Sequence, residues 1–332
     1  MAEPVVALVG SDSLLGREVR DVASATASGF ALRLIADESE QAGILTRVGD
    51  EPALTEELTA DSLTGAPVIV LAGSADSSNK ALELAGDVAV VDLTGVAEDR
   101  PDARVRAPQI EGDEEDDGAG SIHVIAHPAA IALALFLRRL QAYEPLRRAV
   151  IQVMVPASEH GTKGVEELQQ QTVSLLSFKS LPQAIFDTQA GFNLLARYGM
   201  EAPVPLLETE QRIERHLATL LALPGDGEGA PMPSLRLVQA PVFHGYAFSA
   251  WVQFESSPGV DALEEALASP SIEVRGPDFE PPTNVSQAGQ SGIAVGAIEP
   301  DRNDSEACWF WLVADNIRLP AENAVELVQR LI

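Results

Sequence analysis

The chain has 332 residues, of which 46% are hydrophobic, and this length allows two domains with cores that need no cross-links. The single cysteine excludes a disulfide framework, and a net charge of −28 disfavours binding to nucleic acid or to an anionic membrane. Because there is no run of 18 apolar residues and no signal-peptide pattern, we expect a soluble, cytoplasmic protein without a membrane span.

The first part of the sequence alternates predicted strands with predicted helices. Strands are expected at 5–9, 31–35, 67–72, 88–93 and 122–125, with a helix of about ten residues from Arg17 and another at 79–85. This alternation predicts an α/β fold with a Rossmann-like, doubly wound parallel sheet. The acidic stretch 111–118 indicates a solvated loop, with a cation site as the less favoured alternative.

A buried strand at 122–125 leads directly into a long apolar helix at 129–140. Pro128 suits the first turn of that helix, because the N–H that proline lacks would have no partner there. The start of such a helix favours an anionic nucleophile. The chain has Ala129 and Ala130 at this point, and neither side chain can attack a substrate.

The second part of the sequence has wider spacing and alternating strands. Strands are expected at 149–155, 235–238, 245–255, 293–298 and 308–313, and helices at 164–178, 206–223, 261–268 and 322–332. We therefore predict a Rossmann-like domain at 1–128, to which the C-terminal helix within 320–332 returns, and an α+β domain at 129–319.

Three strings in the second part resemble the aspartate-semialdehyde dehydrogenase family, especially its usg-type branch. They are Ser-Glu-His-Gly-Thr-Lys-Gly at 158–164, Gln-Ala-Pro-Val-Phe-His-Gly-Tyr at 239–246 and Trp-Leu-Val-Ala-Asp-Asn-Ile-Arg at 311–318. They are similar to the family's Ser-Gly-Ala-Gly loop, its Arg-Val-Pro-Val-x-x-Gly-His string and its Trp-x-x-x-Asp-Asn-Leu-Arg string. The resemblance implies that 129–319 is a dimerisation domain of the semialdehyde-dehydrogenase type and that the protein is a homodimer.

The resemblance also implies a reaction, but this chain has other residues at the positions where the family has its catalytic ones. The family reduces an acyl phosphate with NADPH, or runs the reverse, through a cysteine thioester, with a histidine for proton transfer and a glutamine and an arginine for substrate. Those positions fall on Ala130 for the cysteine, Val155 for the glutamine, Gln239 for the arginine and Tyr246 for the histidine. We therefore expect no catalytic residue at any of the four.

The loop that would hold a nucleotide is altered as well. The family's middle glycine, which lets the backbone approach the phosphates, is Ser13, and the phosphate-binding arginine of a later loop is Glu98. The candidate cofactor-binding residues are Gly10, Ser11, Ser13, Gly16 and Asp37. Because Asp37 would contact ribose hydroxyls and repel a 2′-phosphate, we expect no cofactor or weak binding of NAD, with NADP less favoured.

Other side chains allow further interpretations. His127, His160 and His244 would border one pocket in the family's geometry, so they could bind zinc, but their spacing favours unrelated histidines and we predict no metal site. Tyr246 is interpreted as filling the vacated site, with a role as an acid as the alternative. Cys308 lies in an apolar strand and is expected to be structural.

We draw two main hypotheses. The first is a degenerate, inactive relative that acts as a binding or assembly partner, either as a homodimer or as a heteromer with a catalytic paralogue. The second is an NAD-dependent oxidoreductase that acts on a carbonyl without a cysteine thioester, with Tyr246 or His244 as the acid.

Overall fold

The structure is a computed structural model that describes residues 3–26, 28–38, 40–49, 51–112, 122–224 and 229–332. Most of the acidic stretch predicted to be a loop, residues 113–118, lies outside the described residues. The chain divides into two compact units, unit 1 with Met1–Ala126 and Pro320–Ile332, and unit 2 with His127–Leu319. The boundary expected after residue 128 lies two residues beyond this division.

Unit 1 is built on a parallel six-stranded sheet. Its elements are β1 (Val5–Val9), α1 (Leu14–Ala25), β2 (Ala31–Ile35), β3 (Leu45–Val48), β4 (Glu51–Leu54), α2 (Ala60–Leu63), β5 (Val68–Leu71), α3 (Ala75–Leu84), β6 (Ala89–Asp92), β7 (Ala103–Arg106), α4 (Pro108–Glu111) and β8 (Ile122–Ile125). The strand order is β2-β1-β5-β6-β8-β7, and β3 and β4 form a separate antiparallel pair. The order reverses beside β1, which is where doubly wound sheets bind their ligands.

The central strands of unit 1 are buried on both faces. Val68–Leu71 is fully enclosed, and Val9, Ile69 and Val124 belong to one apolar core with the helices. Such continuous apolar strands are typical of a parallel sheet covered by helices on both sides. The predicted doubly wound fold is therefore confirmed.

Unit 2 contains a mixed six-stranded sheet with long helices. Its elements are α5 (Pro128–Tyr143), β9 (Leu146–Val155), a 3₁₀ turn (Ala157–His160), α6 (Gly161–Leu176), α7 (Leu206–Leu221), β10 (Ser234–Gln239), β11 (Tyr246–Phe254), α8 (Val260–Leu267), β12 (Ile272–Arg275), α9 (Asn284–Gln287), β13 (Ile293–Pro300), β14 (Ala307–Ala314) and the start of α10 (Arg318–Leu331). The strand order is β10-β9-β11-β14-β13-β12.

The two faces of this second sheet differ in burial. Along β11, Phe248, Ala250, Val252 and Phe254 are buried, whereas the residues between them are partly exposed. The buried face packs on helices, as where Phe136 of α5 meets Phe310 of β14 with ring centroids 5.1 Å apart. On the other face Val150 is 47% exposed and Trp309 is 43% exposed. The predicted α+β architecture is confirmed.

The differences from the predicted elements lie in short or polar segments. The ribbon β3–β4 and the strands β7 and β12 were not predicted, because four-residue strands with polar side chains carry little periodic signal. Helix α1 begins at Leu14 rather than Arg17, since the side chain of Ser13 accepts the Gly16 N–H and caps it. None of the helices in the described part of the chain is long and apolar enough to span a membrane.

Candidate functional site

The start of α5 carries the first group of predicted site residues. Pro128 occupies the first turn, and His127 caps the helix by accepting the Ala129 N–H on Nδ1 at 3.2 Å. The His127 N–H donates to Nδ1 of His216 on α7 at 2.8 Å. Ala129 and Ala130 are fully buried, so the helix start presents methyl groups packed in the core.

A buried carboxylate lies beside this helix start. Glu159, in the 3₁₀ turn after β9, has Oε1 at 2.9 Å from Nε2 of His127. The hydroxyl of Tyr246, at the start of β11, donates to Oε2 at 2.6 Å. We refer to His127, Glu159 and Tyr246 as the Glu159 cluster. Since Nδ1 of His127 accepts the Ala129 N–H, the nitrogen that faces Glu159 is the one that carries a proton.

The Glu159 cluster holds its carboxylate in the charged form. Burial acts to raise the pKa of Glu159, but the hydrogen bonds of His127 and Tyr246, with the charge that His127 carries when its ring is protonated, outweigh it and lower the pKa to about 2. Burial, together with the charge of Glu159, raises the pKa of Tyr246. A general acid or base works best with a pKa near the working pH, so both groups are poorly matched to proton transfer at neutral pH.

A second set of hydrogen bonds surrounds Gln239, the last residue of β10. Its Oε1 accepts from the Tyr198 hydroxyl at 2.6 Å, and its Nε2 donates to the carbonyl oxygens of Val155 and Ala240 at 3.0 and 2.8 Å. His160 Nε2 lies 3.1 Å from the Tyr198 hydroxyl. Gln239 is fully buried. The position assigned to a substrate-binding arginine therefore holds an amide that hydrogen-bonds to other groups of the protein. Val155 is also fully buried.

The three histidines do not form one centre. His127 contacts Glu159, whereas His160 contacts Tyr198. Burial lowers the pKa of His160, although the charge of Glu159 acts to raise it. Nδ1 of His244 is buried and has no hydrogen-bond partner among the described residues. Within the described ranges there is no group of three or more His, Cys, Asp or Glu side chains that could hold a metal ion. Cys308 is buried in β14, as expected for a structural role.

The turn before α10 joins the loops of unit 2. Asp315 Oδ1 accepts the N–H groups of Ile317 and Arg318 at 2.8 and 3.0 Å, which is a capping arrangement at a helix start. Asn316 Oδ1 accepts the Gly245 N–H at 2.8 Å and lies 3.1 Å from the Ser158 hydroxyl. Asn316 of the retained Asp-Asn pair therefore links the two loops that carry Glu159 and Tyr246.

In unit 1, the loop between β1 and α1 is closely packed. A Cβ atom on Gly10 would lie 2.2 Å from the Cα of Gly73, and one on Gly16 would lie 2.1 Å from the carbonyl oxygen of Gly10. Both glycines are thus required by packing, whether or not a nucleotide binds. Ser13 caps α1 and also donates from Oγ to the carbonyl oxygen of Ala72 at 2.6 Å.

Several backbone N–H groups of this loop have acceptors within the protein. Those of Gly10 and Ser11 donate to the carbonyl oxygen of Ile35 at 2.9 and 3.2 Å, and that of Asp12 donates to Glu40 at 3.1 Å. In a dinucleotide site the pyrophosphate lies at the amides that begin the following helix, here α1. The Asp12 carboxylate accepts from Arg20 at 3.0 Å.

Asp37, the candidate for ribose recognition, is buried and bound within the protein. Its carboxylate accepts from the backbone N–H of Ser74 and, at 2.8 Å each, from the hydroxyls of Ser74 and Ser77 at the start of α3. A ribose would have to compete with these three donors. Ser11 Oγ is buried with no hydrogen-bond partner in the described part of the chain.

Sequence reasoning missed the residue at the centre of the site. It assigned no role to Glu159, although in the string at 158–161 a glutamate stands where the related loop has a glycine. A large charged residue in place of glycine adds volume at a point of close packing. That replacement was the available signal, and only the fold places Glu159 between His127 and Tyr246.

Comparisons with known proteins agree with the fold. The family model described as "Semialdehyde dehydrogenase, dimerisation domain" matches residues 137–319. A USG-1 protein homolog of Pseudomonas aeruginosa is 33% identical over 214 residues, which cover 63% of this chain and 62% of that protein. The chain therefore aligns with less than two thirds of that relative's length.

Two enzymes match over nearly the whole chain. The aspartate-semialdehyde dehydrogenase of Aquifex aeolicus is 26% identical over 98% of this chain and 97% of its own. The solved structure of a probable aspartate-semialdehyde dehydrogenase from Pseudomonas aeruginosa has a TM-score of 0.81 and 26% identity, covering 98% of this chain and 97% of that one.

Proposed function

The chain belongs to the semialdehyde dehydrogenase family, and from that premise we propose that it is a member that has lost acyl-phosphate reduction and acts as a binding or assembly partner. The observation that carries the proposal is the Glu159 cluster, in which the groups that could do chemistry hydrogen-bond to one another. Ala130 supplies no nucleophile, and the only cysteine of the chain is buried in β14.

The polar groups of unit 1 support the same proposal. Asp37 is bound to Ser74 and Ser77, so the ribose of a nucleotide would have to displace these contacts. We therefore expect no binding of NADP and at most weak binding of NAD.

The alternative, an NAD-dependent reductase of carbonyls, is less well supported. Its acid would be Tyr246 or His244. Tyr246 is 0% exposed, its hydroxyl is committed to Glu159, and its pKa is raised by burial, so it would neither meet a substrate nor release a proton readily.

As the partner surface we propose the open face of the unit 2 sheet, through which two copies would form a homodimer. This face carries the exposed side chains of Val150 and Trp309 across the central strands. Large apolar side chains exposed on a sheet face are typical of an interaction surface. A heteromer with a catalytic paralogue stays a prediction.

The proposal is tested by titrating the purified protein with NADH and NADPH, following energy transfer from its three tryptophans and the thermal unfolding midpoint. We expect no saturable signal with NADPH below millimolar concentration and no NADPH oxidation with an acyl-phosphate substrate. Micromolar binding of either nucleotide, or turnover, would contradict it and favour the reductase.

A further inference from the structure

The Glu159 carboxylate is held by two side-chain donors, as a bound carboxylate ligand would be. One donor, His127, comes from the start of α5 and the other, Tyr246, from the start of β11, and each contacts a different oxygen, at 2.9 and 2.6 Å. The His127 side chain is 1% exposed and Tyr246 is 0% exposed. Buried, charge-assisted hydrogen bonds of this kind are the strongest that proteins make to carboxylates.

The two donors are positioned by contacts that do not involve Glu159. The His127 ring is held by the Ala129 N–H on Nδ1 and meets the Tyr246 ring edge-on, with centroids 5.8 Å apart. The Tyr246 ring also stacks on Phe248 at 5.8 Å. Since α5 begins at this point, its positive dipole end adds a preference for an anion.

The backbone that carries Glu159 is fixed independently as well. The Ala157 and Ser158 N–H groups donate to the carbonyl oxygens of Val242 and Phe243 at 2.8 and 2.9 Å. The Glu159 side chain is 13% exposed, so it is not fully enclosed by protein. Removing the carboxylate would therefore leave the turn in place and the two donors facing the space that it vacates.

We propose that His127 and Tyr246 form a binding site for a small monocarboxylate, and that Glu159 is the ligand of this site, tethered to the chain. The inference goes beyond the proposed function, because it concerns a ligand class of unit 2 and holds whatever partner the protein has. In the native chain the site is filled from within; without the Glu159 carboxylate it takes a free one.

The test is chemical rescue of Glu159→Ala. Acetate supplies a methyl carbon and a carboxylate, the same atoms that this substitution removes beyond Cβ. We expect Glu159→Ala to have a lower thermal unfolding midpoint than the natural protein, and acetate to raise it saturably. At ten times its dissociation constant, acetate should raise the ratio of folded to unfolded protein about tenfold. Formate, which is one carbon shorter, should raise the midpoint less than acetate does.

Matched controls separate a site from a general salt effect. Sodium chloride of equal ionic strength, and neutral acetamide, should not rescue. Glu159→Gln fills the space with an amide, so acetate should shift its midpoint no more than it shifts the natural protein's. Adding Tyr246→Phe to Glu159→Ala removes one donor and should weaken acetate binding about tenfold.

The inference is overturned if folded Glu159→Ala responds to acetate no more than to chloride, or if all variants respond equally. If Glu159→Ala does not fold in buffer, it is refolded in acetate and in chloride. Recovery only in acetate supports the inference, and failure in both, while Glu159→Gln folds, overturns it. This test does not depend on nucleotide binding by the natural protein. The proposed function can therefore fail while the inference about the carboxylate site holds.

Discussion

At the level of single residues, the buried carboxylate of Glu159 gives the protein a defined response to acid. Its pKa lies near 2 when folded, below the ordinary value of 4.5 that it regains on unfolding. A group whose pKa is lowered by folding contributes stability above its unfolded pKa and loses that contribution as the pH falls toward the folded value. The relevant window is therefore about pH 5 to pH 2.

We predict that the difference in unfolding free energy between the natural protein and Glu159→Gln shrinks by about 3 kcal/mol over this window. Urea denaturation at a series of pH values measures it, because the titration of groups that do not interact with Glu159 cancels in the difference. As a control, Glu265→Gln makes the same chemical change at an exposed position of α8 and is measured in parallel. If the difference in unfolding free energy for Glu159→Gln did not change with pH, folding would not lower the pKa of Glu159.

The same residue marks the limit of sequence reasoning about the site. Matching strings located Ala130, Val155, Gln239 and Tyr246 and predicted that a nucleophile was lacking. They could not indicate what replaced the lost groups, since Glu159 and Tyr246 are 87 residues apart and meet only through the fold. A contact of this kind has no local periodicity from which it could be predicted.

At the level of secondary structure elements, two consecutive arginines of α5 cap the ends of two other helices. Arg138 donates to the carbonyl oxygen of Leu220 in the last turn of α7 and to those of Leu223 and Pro224 just beyond it, at 2.8 to 3.1 Å. Arg139 donates to the carbonyl oxygens of Ala266 and Ala268 at the end of α8. Cations at these ends also interact favourably with the helix dipoles.

We predict that Arg138→Ala lowers the free energy of unfolding by about 2 kcal/mol, because it leaves partly buried carbonyl groups without donors. Arg139→Ala serves as the matched variant and should cost about 0.5 kcal/mol, since its contacts are exposed. Urea denaturation of both variants is the measurement. Equal losses would show that the burial of the Arg138 contacts does not matter.

Most long elements could be predicted from the sequence, whereas the short ones could not. The apolar run at Val5–Val9 and the helix over Leu206–Leu221 have strong patterns that local sequence determines. Strand β7, Ala103–Arg106, reads as polar because it lies at the edge of its sheet, and only pairing with β8 makes it a strand.

At the level of the whole molecule, the open face of the unit 2 sheet determines the assembly that we expect. We predict a particle of twice 35.1 kDa by light scattering for the natural protein. Val150→Glu places a charge on this face and should weaken dimerisation at least tenfold, because the charge would lose its hydration when the interface forms. Val285→Glu, at a position on α9 that is 88% exposed, is the matched control and should remain dimeric.

The order of the two units along the chain has a consequence for how the protein is made. Unit 2 is continuous in sequence, whereas unit 1 consists of a long first segment and Pro320–Ile332. The last segment is bound by contacts such as Gln329 Nε2 to the Ser28 carbonyl oxygen, which join residues 301 positions apart. On the ribosome, therefore, unit 2 can fold as soon as it has emerged, while unit 1, although its first segment is translated earlier, is completed only after residues 320–332 have emerged.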